Sequence, residues 1–572
     1  MVNPLSLSLR FRVISVLAGL VTTGPVFAQS TTTMLPRLTT AQLTLPANWQ
    51  RAGTVMTSPG QTELKIGPGS AVLVGRAGQA LTLIPTSTDF ALQAEVLMTP
   101  GASAQLTLPS GQIVPLTDAR LNKAPGLWQT VDVRYQAATT TRSAILNRLV
   151  VNGVTLREGQ ILTRSTTNGP VMLAVQNGTV AVRNVGYRGL NNRSVAKWAG
   201  PLNYAVYEGE TLNKSGLSTK TPIKKDTTSA ISFESAYGIK PRNFTLHFTG
   251  KLSIAEAGIY QFDLDYGGRS RLFVDGKELI IGDYKDLGAQ MSVEVPLTVG
   301  NHDVEVLFAR AWQRPGLGLF VSLADTRPQA LHTQMSLPEP DPVSIIGVQA
   351  DSKPVLIRSF VLLPGEKLKR THSLSVGTPA GMHYTLDLNQ MALLQVWKGD
   401  FADVTEMWYE RGEPQLLKPL GANVLLAPQT ALTIMADGNG AWPDSVSETV
   451  LQYKGFTLDK QGMPTTEYSL GGATVTDAIR VGRDSGNLNA SSLTRTLNLT
   501  GSANGQVVCR LAAGTQIEEI EKGLYAVNDR SYYVRIDPKL KPELRTANGR
   551  SELRLPMVLK NGAATMVYEI VF

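Results

Sequence analysis

Gly258-Ile259-Tyr260-Gln261-Phe262-Asp263-Leu264-Asp265-Tyr266-Gly267-Gly268-Arg269-Ser270-Arg271-Leu272-Phe273-Val274-Asp275-Gly276 is the stretch on which the fold reading turns. Phe262 and Leu264 alternate with polar neighbours, the two-residue period of a strand with one buried face. Leu272-Phe273-Val274 reads as a buried strand run, and Asp275-Gly276 as a tight hairpin turn. The same pattern extends outward in both directions. Phe90, Leu92, Ala94 and Val96 alternate with Gln93 and Glu95, and Val131, Val133 and Tyr135 with Asp132 and Arg134. Arg148-Leu149-Val150-Val151 runs into Asn152-Gly153, the strongest short hairpin signal. No long helical period competes, so the fold class is all-β.

At 572 residues the chain is long enough for three or four folded units. With 42% hydrophobic and 17% charged residues, 52 Gly and 32 Pro, it is globular and turn-rich rather than disordered or fibrous. Asn191-Asn192-Arg193-Ser194 marks a first boundary, and Leu337-Pro338-Glu339-Pro340-Asp341-Pro342 a second, because closely spaced prolines stiffen a linker and cannot join a sheet interior. The expected organisation is three consecutive antiparallel β-sandwich, jelly-roll-like domains after a signal peptide. Residues 1–28 are the signal, 29–42 a flexible Thr-rich lead, 43–190 and 198–325 two sandwiches, 326–342 a Pro-rich linker and 343–572 a C-terminal β-rich domain.

Arg10 and Arg12, an apolar run from Val13 to Val21, and Val26-Phe27-Ala28 form the three parts of a secretory signal, with cleavage between Ala28 and Gln29. Thr22, Thr23 and Gly24 interrupt that run before it reaches the ~20 apolar residues of a transmembrane span. The expected location is therefore periplasmic or extracellular. The net charge of +8 is scattered among acids with no basic block, which argues against nucleic acid as a partner. The single cysteine, Cys509, excludes an internal disulfide and a thiolate zinc cage and reads as a buried, inert thiol.

Ala124-Pro125-Gly126-Leu127-Trp128, Leu149-Val150-Val151-Asn152-Gly153-Val154, Gly169-Pro170-Val171-Met172-Leu173 and Val182-Arg183-Asn184-Val185 together resemble the concanavalin-like sandwich of the 3-keto-disaccharide hydrolase family. That resemblance implies a jelly roll with a history among sugars. The paired carboxyls of a glycosidase, carried as E-x-D-x-E in the related family-sixteen enzymes, do not occur here. Glu95, Asp118 and Asp132 are each read as isolated.

Gly200-Pro201-Leu202-Asn203-Tyr204, Phe244-Thr245-Leu246-His247-Phe248, the quoted 258–276 stretch and Gly300-Asn301-His302-Asp303-Val304 resemble, in order, the protective-antigen (PA-fourteen) sandwich. Members of that family bind glycans, some through calcium held by two adjacent Asp residues just before an S-R-L-x-x-D-G strand. Asp265 matches the first Asp, whereas Tyr266 stands at the second. Calcium wants six to eight oxygens, and Asp263 and Asp265, with Asp283 or Asp286, are the candidate ligands here; no other cofactor is required. Tyr266, Arg269 and Trp312 suit glycan contact, since rings pack on sugar faces and a guanidinium donates to hydroxyls.

In the third region Arg370-Thr371-His372-Ser373, Gly381-Met382-His383-Tyr384 and Leu394-Gln395-Val396-Trp397-Lys398-Gly399-Asp400-Phe401 resemble a domain of exported bacterial proteins that also carry cytochrome-c, PA-fourteen and sugar-hydrolase-like modules. Asp400, Asp403, Glu406 and Glu410 are spaced for one face of a short helix, a solvated acidic face by default. A sharper reading pairs His383 or His372 with one of these carboxylates as acid and base, with Trp397, Trp408 or Tyr409 stacking on a sugar. The function read from the whole is exported, non-catalytic recognition of glycans or oligosaccharides. The alternatives are a hydrolase or lyase acting on 3-keto or other modified glycosides, and an accessory subunit that binds another exported protein. N-terminal sequencing of the exported protein is expected to begin at Gln29; a mature chain that retains Met1 would overturn the signal reading.

Overall fold

The computed structural model describes residues 35–572 apart from 41–42, 119, 139–142, 163–168, 192, 237, 240–241, 289, 311–313, 340–343, 409–413, 437–439, 483–491 and 548. Its regular secondary structure is nearly all antiparallel strand, at 59% strand and 3% helix. The expected cleavage pair Ala28–Gln29, together with Trp312, Tyr409 and Glu410, lies outside the described residues.

The first sandwich packs a seven-stranded sheet against a four-stranded one. Between them lie Phe90, Leu92, Val133, Tyr135, Leu146 and Val182, all on the strand phase that alternation marks as inward. At the hairpin tip Asn152 (φ 50) and Gly153 (φ 81) are both left-handed, as a two-residue primed turn requires. The Asn152 amide also donates to the Leu121 carbonyl at 2.9 Å while its oxygen accepts from Thr130 N–H at 3.0 Å. The expected flexible lead differs in its described part: Leu38 N–H donates to Val185 O at 2.7 Å and Tyr187 N–H to Pro36 O at 2.9 Å, so backbone pairing holds residues 36–38 along the sheet edge.

The second sandwich is organised by one strand, Gly258–Val274, that belongs to both of its sheets. Its first half pairs with Met291–Leu297 and Gly316–Ser322, and its second half with Lys277–Lys285 and Gly300–Ala309. The crossing point is Gly267-Gly268, where a Cβ would stand 1.8 Å from the Arg314 carbonyl oxygen at the first position and 2.5 Å from that of Ala309 at the second. Tyr260, Phe262, Leu264 and Tyr266 all point inward and are fully buried. Asp275 (φ 49) and Gly276 (φ 77) make the following turn. This unit extends past its expected end. Gln329–Ala330 pairs with the Gly316–Ser322 strand, Leu331 is buried, and Ser336 donates to Leu317 O at 2.6 Å. The beginning of the expected linker is thus structural. Arg193 forks onto Asp325 at 2.8 and 3.0 Å and onto Glu256 at 2.8 Å, and Arg327 pairs with Asp89 of the first sandwich.

In the third region, sheets of six, four and eight strands enclose one apolar core that runs from Leu374 to Phe572. Inside it the guanidinium of Arg495 binds Asp477 at 2.7 Å and donates to Met391 O at 3.1 Å and to Tyr568 Oη at 3.2 Å. Cys509 is fully buried and its thiol is pushed up to about 12 by that burial, in line with an inert role. Among the described residues no helix is long and apolar enough to cross a membrane. Asp477→Ala would leave Arg495 charged, buried and unpaired; its expected cost is about 3–5 kcal/mol, read as a lowered denaturant midpoint, whereas Asp477→Leu with Arg495→Met should cost much less. Equal losses in the two variants would show that the pair's volume, not its charge balance, matters.

Candidate functional site

The second sandwich's outer sheet face carries a polar surface built from several strands. Because Leu272, Val274 and their even-numbered neighbours point into the core, Arg269, Arg271 and Phe273 point outward, across from Ala309, Leu307 and Glu305. A loop with a short helix, Lys214–Ser218, lies over the middle of this face through Leu212 and Leu217, which pack on Tyr207, Phe273 and Leu307. At one end of the face Tyr284 is 46% exposed, and the Arg269 guanidinium sits 4.8 Å from its ring centroid. The Tyr284 hydroxyl donates to Glu210 Oε2 at 2.6 Å, and this hydrogen bond raises its pKa above the ordinary tyrosine value. Arg269 Nε lies 3.2 Å from Asp283 Oδ1. One ring, one guanidinium and two carboxylates thus converge at the surface, able to offer stacking, donors and acceptors to a polyhydroxylated ligand. Arg269 belonged to the expected set, while Tyr284 and Glu210 did not.

Beside this cluster the structure corrects Tyr266. Its ring is fully buried, with the hydroxyl donating to Asp283 O at 3.1 Å, so it has no face to offer a sugar. It is in phase with Phe262 and Leu264, which is the physical reason it turns inward. The expected calcium ligands are occupied by protein groups. Asp263 accepts from Ser292 Oγ at 2.5 Å and from Gln261 Nε2 at 2.7 Å, and Asp265 accepts from Gly288 N–H at 3.1 Å. Lys285 places its ammonium 4.0 Å from Asp265 Oδ1 and 4.4 Å from the Tyr266 ring. Burial pulls the Lys285 pKa below its ordinary value, with Asp265 opposing the shift. Calcium takes six to eight oxygens; among the described residues no group of three or more His, Cys, Asp or Glu side chains could hold a metal, and the cation beside Asp265 is the protein's own. The residues present therefore do not fit calcium.

In the third region the acid–base expectation does not assemble. Ala392–Asp403 is a strand and only 405–407 form a helical turn, so Asp400, Asp403 and Glu406 do not share a helix face. The apolar run through Trp397 is long enough to be a buried strand, which overrides the spacing of the acids. Asp400 is exposed, Asp403 caps the turn by accepting from Thr405 N–H at 2.8 Å, and Glu406 pairs with Lys418. His383 is buried, and its Nδ1 accepts from Thr378 N–H at 3.1 Å, which makes Nε2 the donor to Gly399 O at 2.9 Å. Burial lowers its pKa, and the ring is a neutral backbone clamp with no nitrogen left for catalysis. Trp397 is also fully buried, stacked on Phe401 at 5.8 Å with its indole N–H donating to Phe401 O at 2.7 Å. Trp408 is 72% exposed and retains an open ring.

The first sandwich's carboxylates are engaged singly. Glu95 accepts from Arg183 Nε at 2.8 Å and from Asn184 Nδ2 at 2.9 Å, Asp132 from Gln93 Nε2 at 2.9 Å, and Asp118 from Arg120 N–H at 2.9 Å. Asn184 is left-handed (φ 51) at a β-bulge, and this turns two successive side chains onto one carboxylate. Trp128 lies under Arg183, 4.0 Å from the guanidinium, and Asp529 of the third region meets Arg183 at 2.6 Å.

Comparison with known proteins bears on the second sandwich above all. No match to a curated protein was found. Similar solved structures include an anti-sigma factor domain-containing protein from Clostridium clariflavum, at 13% identity over 47% of this chain and 85% of that one, TM-score 0.21. A PA14 sugar-binding domain from an RTX adhesin is similar at 14% identity over 23% of this chain and 93% of that one, TM-score 0.19. A β-glucosidase from Kluyveromyces marxianus in complex with glucose is similar at 16% identity over 22% of this chain but only 16% of that enzyme, TM-score 0.18. Residues 202–300, which contain Glu210, Asp265, Arg269 and Tyr284, match the model of the PA14 domain.

Proposed function

We propose that this is an exported, non-catalytic carbohydrate-recognition protein whose second sandwich contacts glycans through Tyr284 and Arg269. The observation that carries this reading is the exposed Tyr284 ring, flanked by Arg269, Glu210 and Asp283, inside the segment that matches the PA14 domain. A ring half open to solvent stacks on the apolar face of a pyranose, while the guanidinium and carboxylates bind hydroxyls on its rim. The Lys285 ammonium beside Asp265 supports recognition that does not require calcium. The separate engagement of Glu95, Asp118 and Asp132 supports a non-catalytic role over hydrolysis or elimination at modified glycosides, because a glycosidase needs two carboxyls flanking one bond.

Tyr284→Ala and Arg269→Ala are each expected to weaken glycan binding by about tenfold, the equivalent of ~1.4 kcal/mol, with little change in thermal unfolding. The readout is a glycan array probed with the chain from Gln29 onward, in calcium and in chelator. Binding that survives both substitutions would move the site elsewhere, binding lost on chelation would restore calcium, and bound glycans recovered in cleaved form would replace recognition with catalysis.

A further inference from the structure

The far end of the same outer face holds a groove of about 570 Å³, within the ~300–1,000 Å³ range of small-ligand sites. Its walls come from four neighbouring strands and two turns, with Asn203, Thr249 and Glu305 in one cross-strand row that ends on Phe273. At Gly200 and Gly276 a Cβ would meet nothing within 4 Å, so glycine backbone at both turns keeps it open. Every charge whose partner is seen here is already neutralised. Lys251 binds Asp303 at 2.7 Å, and Glu305 accepts from His247 Nε2 at 2.8 Å and pairs with Lys214, whose ammonium caps the Phe273 ring at 4.2 Å. Burial works against the Glu305 charge, but these two partners outweigh it and hold the carboxyl below its ordinary pKa.

We infer that this groove, where Asn203, Thr249 and the paired charges of Lys251, Asp303 and Glu305 face one polar trough, is a second binding site, for a neutral oligosaccharide segment. Prepaired charges give a charged ligand little net Coulombic gain. Their free lone pairs and N–H groups, together with a side-chain amide and a hydroxyl, supply the mixture of donors and acceptors that sugar hydroxyls need. A phosphate or nucleic-acid ligand would instead call for unpaired basic groups. The Lys214–Ser218 loop separates this groove from the Tyr284 end, so the face offers two places on one sheet. The choice of ligand class rests on the carbohydrate reading above, while the location does not.

The test is amine labelling of the full chain, followed by mass spectrometry, in the presence of neutral gluco-, manno- and galacto-hexaoses and of oligogalacturonate. A neutral hexaose is expected to slow labelling of Lys214 and Lys251 several-fold. Gly200 has open space where a Cβ would go, so Gly200→Trp should fill the groove and abolish that protection without a change in thermal unfolding. Asn203→Ala should weaken the protecting hexaose by about tenfold through loss of one side-chain hydrogen-bonding group. Protection by the uronate alone, protection that persists in Gly200→Trp, or no protection by any probe would each overturn the groove assignment. Parallel nitration of Tyr284 reports on the first site: protected Tyr284 with unprotected lysines sinks the second site and leaves the first standing, while the reverse pattern does the opposite.

Discussion

Three consecutive non-glycine residues, Asn528 (φ 50), Asp529 (φ 53) and Arg530 (φ 65), are held left-handed at the tip of the hairpin formed by Leu524–Val527 and Tyr532–Ile536. Left-handed backbone costs L-residues roughly 1–2 kcal/mol each, so such a run persists only where contacts over-determine it. Those contacts come largely from another part of the chain. Asn528 Oδ1 accepts from Thr515 N–H at 2.8 Å within the third region. Asp529 meets Arg183, the Arg530 guanidinium donates to Thr57 O at 2.6 Å, and the Arg530 carbonyl accepts from Trp128 N–H at 3.2 Å. Beneath the tip Leu524, Ala526 and Tyr533 pack on Ala124 and Leu127. A Cβ at Gly126 (φ 80) would stand 2.5 Å from the Tyr533 hydroxyl oxygen, so that turn is shaped to the hairpin. The first sandwich thus completes a conformation of the third that the hairpin alone has little reason to adopt.

That docking decides which surfaces can meet a ligand. On the first sandwich, the turn before Trp128 and the Val182-Arg183-Asn184-Val185 segment are the places the third region covers. Glu95 and Arg183 there form a ladder that ends on Asp529, a polar seam between domains instead of an open cleft. Nearby, burial draws the Lys123 amine down to about 8, with Glu95 opposing the shift. The second sandwich is attached mainly through Arg193, Asp325, Arg327 and Asp89 at the opposite end of its fold from Tyr284 and Arg269, leaving that outer face available. The Arg269 and Tyr284 end of the second sandwich thus stays clear of the ion pairs that join it to the first.

Much of this architecture could be read from residue order, because alternation and primed turns are local. Asn152-Gly153 and Asp275-Gly276 adopt the left-handed pairs their identities predict, and the 258–274 alternation places its core face correctly. The site was less legible for equally physical reasons. Tyr266 shares parity with Phe262 and Leu264, a signal that outweighs its chemical suitability for sugar. Tyr284 could not be placed by counting from the Asp275-Gly276 turn, since register shifts between Gly268 and Ser270 and between Leu272 and Phe273 change the pairing. Glu210 reaches Tyr284 from a loop 74 residues away in sequence, a distance no local period spans. The acids at 400, 403 and 406 have a spacing that suits a helix, but a continuous apolar strand decides the backbone there.

The electrostatics of the outer face bear on the strength of the recognition it can provide. Its charges are matched within the protein: Lys251 with Asp303, Lys214 and His247 with Glu305, and Arg269 with Asp283. A neutral ligand then gains only hydrogen bonds exchanged with water, each worth ~0.5–1.5 kcal/mol net, together with ring stacking. One such end is expected to bind weakly, and because no net charge is neutralised on binding, salt should affect it little. Two ends on a single sheet face change that outcome, because a polymer held at one is presented to the other at high effective concentration without any new contact. The short helix that divides the face through Leu212 and Leu217 is thus more than a cover for apolar surface: under the proposed reading it lies between the two ends a bound polymer would have to reach.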